Sequence, residues 1–193
     1  ILSEETEDDP KRLQSDAVFI IDPIDGTRSF LNGNENFSTS IAIARGGVVT
    51  EAVVHLPAKG LTFSARQGAG AFLNGKPIHV GDRAELRGAR ILASGSQTRA
   101  DLWRNGSPPI ERHFRSSLAY RLCLVAQGRF DGMMTLRPTW EWDVAAGHLI
   151  CCEAGASVKN QNGSHPTYNS ASARMNGMIA ANDTLMDAFF TYL

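Results

Sequence analysis

Short apolar runs broken by turn residues fill the first half of the chain, and helical spacings enter in the second. Ala17-Val18-Phe19-Ile20-Ile21 is apolar and β-branched and meets Asp22-Pro23, which predicts a buried strand stopping at the proline with a polar, functional loop behind it. Phe37 to Ala44 alternates polar and apolar positions, Gly46-Gly47 makes a turn, and Val48 to His55 continues the alternation, so the two runs pair as an antiparallel hairpin. Leu61 to Ala65 and Ala71 to Leu73 form another hairpin across Arg66 to Gly70, and Asn74-Gly75 turns the chain again before Pro77 to Val80. This half reads as a meandering antiparallel sheet.

Arg90 to Ala93 reads as a strand, followed by turn residues from Gly95 to Pro109 with some helical character at Thr98 to Trp103. Leu118, Leu122, Val125 and Ala126 stand at helical spacing, with Ser116 or Ser117 as N-cap and Gly128 just past the end. Phe130 to Thr135 predicts a strand, and Trp142 to Ala154 a helix stopped by Gly155. Met178 to Ala181 and Asp183 to Tyr192 predict a last strand and helix. Strands alternating with helices make this half a mixed α/β lobe, with a soft boundary at Asp82 to Leu86 that divides the chain into residues 1–85 and 86–193.

Composition narrows the partners. Nineteen Lys and Arg against 20 Asp and Glu in 193 residues leave no excess charge to draw a nucleic acid polymer or an anionic membrane to the whole molecule. No apolar run approaches the roughly 20 residues of a spanning helix. Cys123 stands alone and Cys151 and Cys152 are adjacent, which fits reduced thiols in the cytoplasm better than a disulfide framework. Ile1-Leu2 running into Ser3-Glu4-Glu5, with no initiator Met, reads as the end of a strand whose earlier part lies outside this sequence.

The acids carry the candidate chemistry. Glu4 ends one apolar strand, Asp22-Pro23-Ile24-Asp25-Gly26-Thr27 ends another, and Asp143 opens a helix. Caps and turns explain single acids at such places, and Asp143 is equally readable as a helix cap. Two acids flanking Pro23-Ile24 are more than one turn needs. Carboxylates about 4 Å apart repel by about 4 kcal/mol at an effective dielectric near 20, so converging acids call for cations, and an oxygen-only donor set selects Mg²⁺ first, then Mn²⁺ or Ca²⁺. If Thr27 opens a short helix, the amides of Gly26 and Thr27 add an anion site, and an anion beside Mg²⁺ suggests phosphate.

Ser3-Glu4-Glu5, Asp22 to Thr27 and Trp142-Asp143-Val144-Ala145-Ala146-Gly147 together resemble the three signatures of the inositol monophosphatase family of Mg²⁺-dependent, lithium-sensitive phosphatases. The resemblance implies a layered αβαβα sandwich whose N-terminal helices precede Ile1. It implies two or three Mg²⁺ ions held by Glu4, Asp22, the Ile24 carbonyl, Asp25 and Asp143. It further implies that Thr27 and Glu4 activate a water, that Asp25, Gly26, Thr27 and Asp143 meet the substrate, and that a homodimer is open to the chain. Inositol-specific members carry a Glu seven residues before the last metal Asp, where this chain has Leu136. Pro138-Thr139 and Ser116-Ser117-Leu118 look more like the bisphosphate nucleotidases, which act on adenosine 3',5'-bisphosphate. Arg121 and Arg137 read either as solvated surface residues or as contacts to a second phosphate. Inositol, histidinol or sugar phosphates are the alternative substrates, and a catalytically silent metal-binding interaction protein is the alternative of another class.

Overall fold

The structure, a computed structural model, describes residues 1–193. Its first sheet follows the chain: β1 (Leu2–Ser3), β2 (Ala17–Asp25), β3 (Ser38–Arg45), β4 (Val48–Leu56), β5 (Leu61–Arg66), β6 (Ala71–Leu73) and β7 (Lys76–Pro77) lie side by side in that order. Both predicted hairpins form, with Gly46 and Gly47 supplying the left-handed turn between β3 and β4. The sheet departs from the expected antiparallel meander at one edge, where β1 pairs parallel to β2 through Leu2 and Ile20. Residues 4–16 make the return that a parallel neighbour needs.

The strand expected to stop at Pro23 continues to Asp25. Asp22 faces Ser40 on β3 and Asp25 faces Ser38, so three steps along β2 match two along β3. The extra residue is a β-bulge, and it takes Pro23, which has no N–H to donate, out of the regular ladder. The Thr39 hydroxyl donates to the Pro23 carbonyl at 2.9 Å across the gap.

The second sheet contains β8 (Arg90–Leu92), β9 (Glu111–His113), β10 (Gly132–Trp140), β11 (Ser157–Lys159) and β12 (Arg174–Ala181), in the spatial order β11, β12, β10, β8, β9. It is mixed, as read: β8 runs parallel to both β9 and β10, while β12 is antiparallel to β10 and β11. The predicted Phe130 to Thr135 strand extends through Pro138 to Trp140 by a second bulge, opposite Gly177 at φ +67°.

Helix α1 (Thr27–Leu31) follows β2, α2 (Leu118–Ala126) and α3 (Glu141–Glu153) lie between the sheets, and α4 (Asp183–Phe190) covers the far face of the second sheet. Helix α3 buries Val144, Ala145, Ala146, Leu149, Ile150 and Cys151, the many-sided apolar surface expected of a helix pressed between two sheets. The larger core therefore runs from Leu2 and Val18 in the first sheet through α2 and α3 to Met178 and Ala180 in the second. A smaller core joins Ile91, Met134 and Ile179 to Leu185 and Phe189 of α4. The outer face of the first sheet carries no helix among residues 1–193: Phe19, Ile41 and Val53 are exposed there. Four of the five layers implied by the family resemblance are thus built by this chain.

Candidate metal centre

Side chains three apart on a regular strand point to opposite faces. The bulge in β2 removes that difference, so Asp22 and Asp25 share the face that Ser38 and Ser40 also occupy. Asp143 reaches the same place from the first turn of α3. A carboxylate oxygen from each of Asp22, Asp25 and Asp143 lies within 4.8 Å of the others.

Each acid is held by identifiable donors. The Ile24 N–H donates to Asp22 at 2.9 Å. Asp25 reaches across to the start of α2, where its Oδ2 accepts from the Ser117 hydroxyl at 2.6 Å and the Ala119 N–H at 2.7 Å, and its Oδ1 from the Leu118 N–H at 3.3 Å. Ser117 is itself the N-cap of α2, accepting from the Tyr120 N–H at 2.9 Å. Asp143 accepts from the Thr139 hydroxyl at 2.8 Å and the Trp140 N–H at 3.3 Å, so it caps α3 and also belongs to the acid group. The two readings of Asp143 were compatible.

Electrostatics set this group apart. Burial pushes the Asp22 carboxyl up to about 8, reinforced by the charges of Asp25, Asp143 and Glu4. Burial and the Asp143 charge raise Asp25 to about 7, against the lowering effect of its three donors. Asp143 is raised as well, by burial. No Lys, Arg or His forms an ion pair with any of the three. Two buried carboxylates and a half-buried one, mutually repelling, in no ion pair, and offering oxygen and neither nitrogen nor sulfur, fit a hard divalent cation.

Glu4 stands at the rim, exposed and outside the tight group of three. It is near enough to raise Asp22, and its own carboxyl is raised by partial burial and by the charges of Asp143 and Glu5. The Ile24 carbonyl accepts from the Thr27 hydroxyl at 3.0 Å, and Gly26, at φ +92°, is the N-cap of α1. Its backbone angle favours glycine, and the space is tight as well: an added Cβ on Gly26 would approach the Asn36 carbonyl oxygen to 3.1 Å and the Ser117 nitrogen to 3.3 Å.

A cleft of about 920 Å³ opens beside the acids, with Glu4, Gly26 and Thr27 in its wall. Four arginines, Arg28, Arg115, Arg121 and Arg137, share its wall with serines and asparagines, and none of the four has an acidic ion-pair partner. Arg137 is exposed, as one reading of the sequence expects. Arg121 is not a solvated surface residue: it is 5% exposed, lies over the Phe114 ring at 4.6 Å and donates from Nε to the Arg115 carbonyl. Burial lowers its pKa to about 10, with Asp25 favouring and Arg137 opposing the charged form. Leu136 packs against the smaller core, and its N–H donates to Gln97 at 2.6 Å, while Arg137 beside it reaches the cleft.

Sequence reasoning found the acids but not their supports. Ser117 was legible as a cap and Thr139 as a neighbour of Asp143, yet nothing in their spacing places Asp25 on the start of α2.

A site built from carboxylate oxygens between two sheets of a layered α+β protein suits a hard cation. The family model described as the inositol monophosphatase family matches residues 1–190, and the chain belongs to that family. The "Fructose-1,6-bisphosphatase/inositol-1-monophosphatase" of Thermotoga maritima is 38% identical over 155 residues, covering 78% of this chain and 59% of that protein. The "Inositol-1-monophosphatase" of Rhizobium meliloti is 36% identical over 159 residues, 77% of this chain and 59% of its own. The "Putative Nus factor SuhB" of Neisseria meningitidis serogroup B is 36% identical over 156 residues, 75% and 58% of the two chains. This chain thus spans less than two thirds of the length of these relatives. Among solved structures, a Thermotoga maritima IMPase superposes with a TM-score of 0.79 at 31% identity, covering 98% of this chain and 71% of that one. Inositol monophosphatase II of Staphylococcus aureus, at 24% identity, TM-score 0.82, and 97% and 71% coverage, shares the fold.

Proposed function

We propose that the protein is a Mg²⁺-dependent phosphomonoesterase acting on a small phosphorylated metabolite in the cytoplasm. The observation that carries this is the convergence of Asp22 and Asp25, both buried, with half-buried Asp143, none of them ion-paired to a cationic side chain, beside a cleft lined in part by arginines. In this reading Glu4, Asp22, the Ile24 carbonyl, Asp25 and Asp143 hold two or three Mg²⁺ ions. The ions, when bound, supply Lewis acidity and neutralise charge at the phosphate. Thr27 and Glu4 would orient a water and help deprotonate it, the Glu4 carboxylate taking the proton, as the water oxygen bonds to phosphorus and the bond from phosphorus to the opposite, leaving oxygen breaks. The amides of Gly26 and Thr27 receive phosphate oxygens, and Asp25 and Asp143 border the substrate.

Within that class, a bisphosphorylated nucleotide, adenosine 3',5'-bisphosphate, is the substrate we favour over inositol, histidinol or sugar monophosphates. Leu136 lacks the carboxylate that would meet inositol hydroxyls. Unpaired Arg121 and Arg137 suit a second phosphate. The relative named as a fructose-1,6-bisphosphatase fits a doubly charged substrate too, whereas relatives named Nus factors support the alternative of an interaction protein.

The test is phosphate release by the full-length protein from adenosine 3',5'-bisphosphate, fructose 1,6-bisphosphate, inositol 1-phosphate and histidinol phosphate, with Mg²⁺ and with or without lithium. Release dependent on Mg²⁺ and inhibited by lithium is expected, with the adenosine bisphosphate turned over fastest. Asp25→Asn should abolish it while the circular dichroism spectrum stays unchanged. No Mg²⁺-dependent release from any substrate would overturn the enzyme reading in favour of the interaction protein.

A further inference from the structure

Arg12 is a charged residue that the phosphatase reading does not use, and it is 3% exposed. It lies in a 3-10 turn (Pro10–Gln14) within the segment that joins Glu4 to β2. Its Nε and Nη2 fork onto Asp8 at 2.6 and 2.9 Å, and its Nη1 donates to the Asn169 side-chain oxygen at 2.7 Å. Asn169 answers through its own Nδ2, which donates to the Arg12 carbonyl at 3.1 Å. The loop then passes the connection on. The Asn169 N–H donates to Glu141 at 2.6 Å, and the Ser170 N–H and hydroxyl to the same carboxylate at 2.9 and 2.6 Å. Glu141 is fully buried at the first position of α3, two residues before Asp143.

These bonds form one unbroken chain from the segment behind Glu4 to the helix turn that carries Asp143. Two residues here have left-handed backbone: Asn169 at φ +60°, and Ala173, whose carbonyl accepts from the Glu141 N–H at 2.9 Å, at φ +53°, where a residue such as alanine is seldom found. Such conformations persist only where the surroundings over-determine them, and they concentrate at sites whose geometry matters. At its other end, the segment is anchored by β1, where Leu2 and Ser3 pair with Ile20 and Ile21. Glu4 therefore stands between two fixed points, a strand on one side and the Arg12 fork on the other.

We propose that Asp8, Arg12, Asn169 and Glu141 form a clasp that fixes the distance from Glu4 to Asp22 and Asp143, and that Arg12 and Asn169 are positioning residues for divalent-cation binding. The inference rests on the reading of the acid group as a Mg²⁺ site. Its chemistry is that of an outer shell: a planar fork satisfied on three nitrogens holds its partners in one geometry, which a lysine ammonium cannot reproduce.

Arg12→Lys and Asn169→Gly test it in the full-length protein. The glycine keeps the left-handed backbone and the N–H bond to Glu141 while deleting both side-chain bonds to Arg12, so it guards against a variant that fails to fold. Three quantities are read: Mg²⁺ dissociation by calorimetry, Tm in EDTA, and the Mg²⁺ concentration for half-maximal phosphate release. The expected result is Mg²⁺ binding weaker by about tenfold in both variants, a matching rise in the Mg²⁺ requirement, and recovery of the rate at saturating Mg²⁺. A fall in Tm with unchanged Mg²⁺ affinity would overturn the clasp and leave the metal-site reading standing. Absence of Mg²⁺ binding by the unmodified protein would overturn both.

Discussion

Asp25 shows what a single residue has to reconcile. It is 6% exposed beside two other acids, yet three donors at the start of α2 favour its charged form. Ser117 does double duty there, because its hydroxyl donates to Asp25 while its oxygen caps the helix. Ser117→Ala removes both bonds. The expected cost is about 1 kcal/mol of stability from the lost cap, read as a lower Tm, together with Mg²⁺ binding weakened about tenfold by calorimetry. Unchanged Mg²⁺ affinity would show that the Leu118 and Ala119 amides suffice to hold the carboxylate. At this scale the sequence was legible where chemistry concentrates in one segment, as in Asp22 to Thr27. It was illegible for Arg121: arginine is normally solvated, and only the packing of Phe114 and the cleft wall reveals an exception.

Elements bring the residues together through two features of opposite kind, an insertion and an omission. The insertion is the extra residue in β2, without which Asp22 and Asp25 would face apart. The sequence reading ended this strand at Pro23 because proline leaves a regular ladder; it could not show that the strand resumes beyond it. The omission is the side chain of Gly147, where a Cβ would stand 2.6 Å from Leu122 Cβ. That contact lets α2 and α3 close on each other, and each helix brings one side of the acid group, the Asp25 donors from α2 and Asp143 from α3. Gly147→Ala should destabilise the protein by about 1–3 kcal/mol through overpacking and separate the two helix starts, so both Tm and Mg²⁺ affinity should fall. A loss of Tm with intact Mg²⁺ affinity would place the crossing outside the site's control. Strands β9 and β11 escaped the sequence reading for a plainer reason: three residues at a sheet edge are too short to establish a period.

For the molecule as a whole, the near-balance of 19 basic and 20 acidic residues conceals a local concentration of negative charge. Folding raises the carboxyl pKa values of Asp22 to about 8 and Asp25 to about 7, so the metal-free folded state binds protons more tightly than the unfolded chain. By linkage this stability is present at low pH and is lost as pH rises through those folded values. His148 acts in the opposite sense, since burial lowers its pKa to about 4, but its effect is complete once pH exceeds the ordinary histidine value near 6.5. Between pH 6.5 and 8.5 the acids should therefore dominate. Tm in EDTA is expected to fall across that interval, and saturating Mg²⁺ to abolish or reverse the fall. A Tm in EDTA that is flat or rising there would show that the acid charge is compensated without a metal. Hairpin turns in the first half, and strands alternating with helices in the second, made the two sheets legible from sequence. The core joining them was not, because α3, formed late in the chain, packs largely on strands formed early.

The bulge that turns Asp22 and Asp25 to one face has a further consequence in time. Those acids belong to a hairpin-rich sheet that can form from neighbouring segments, while Asp143 arrives only when α3 docks, so no intermediate lacking that contact presents the complete set of donors. A cation bound there should act as a latch on the finished molecule and not as a seed for folding. Refolding would then proceed at a rate indifferent to Mg²⁺, and the native state would last longer in its presence.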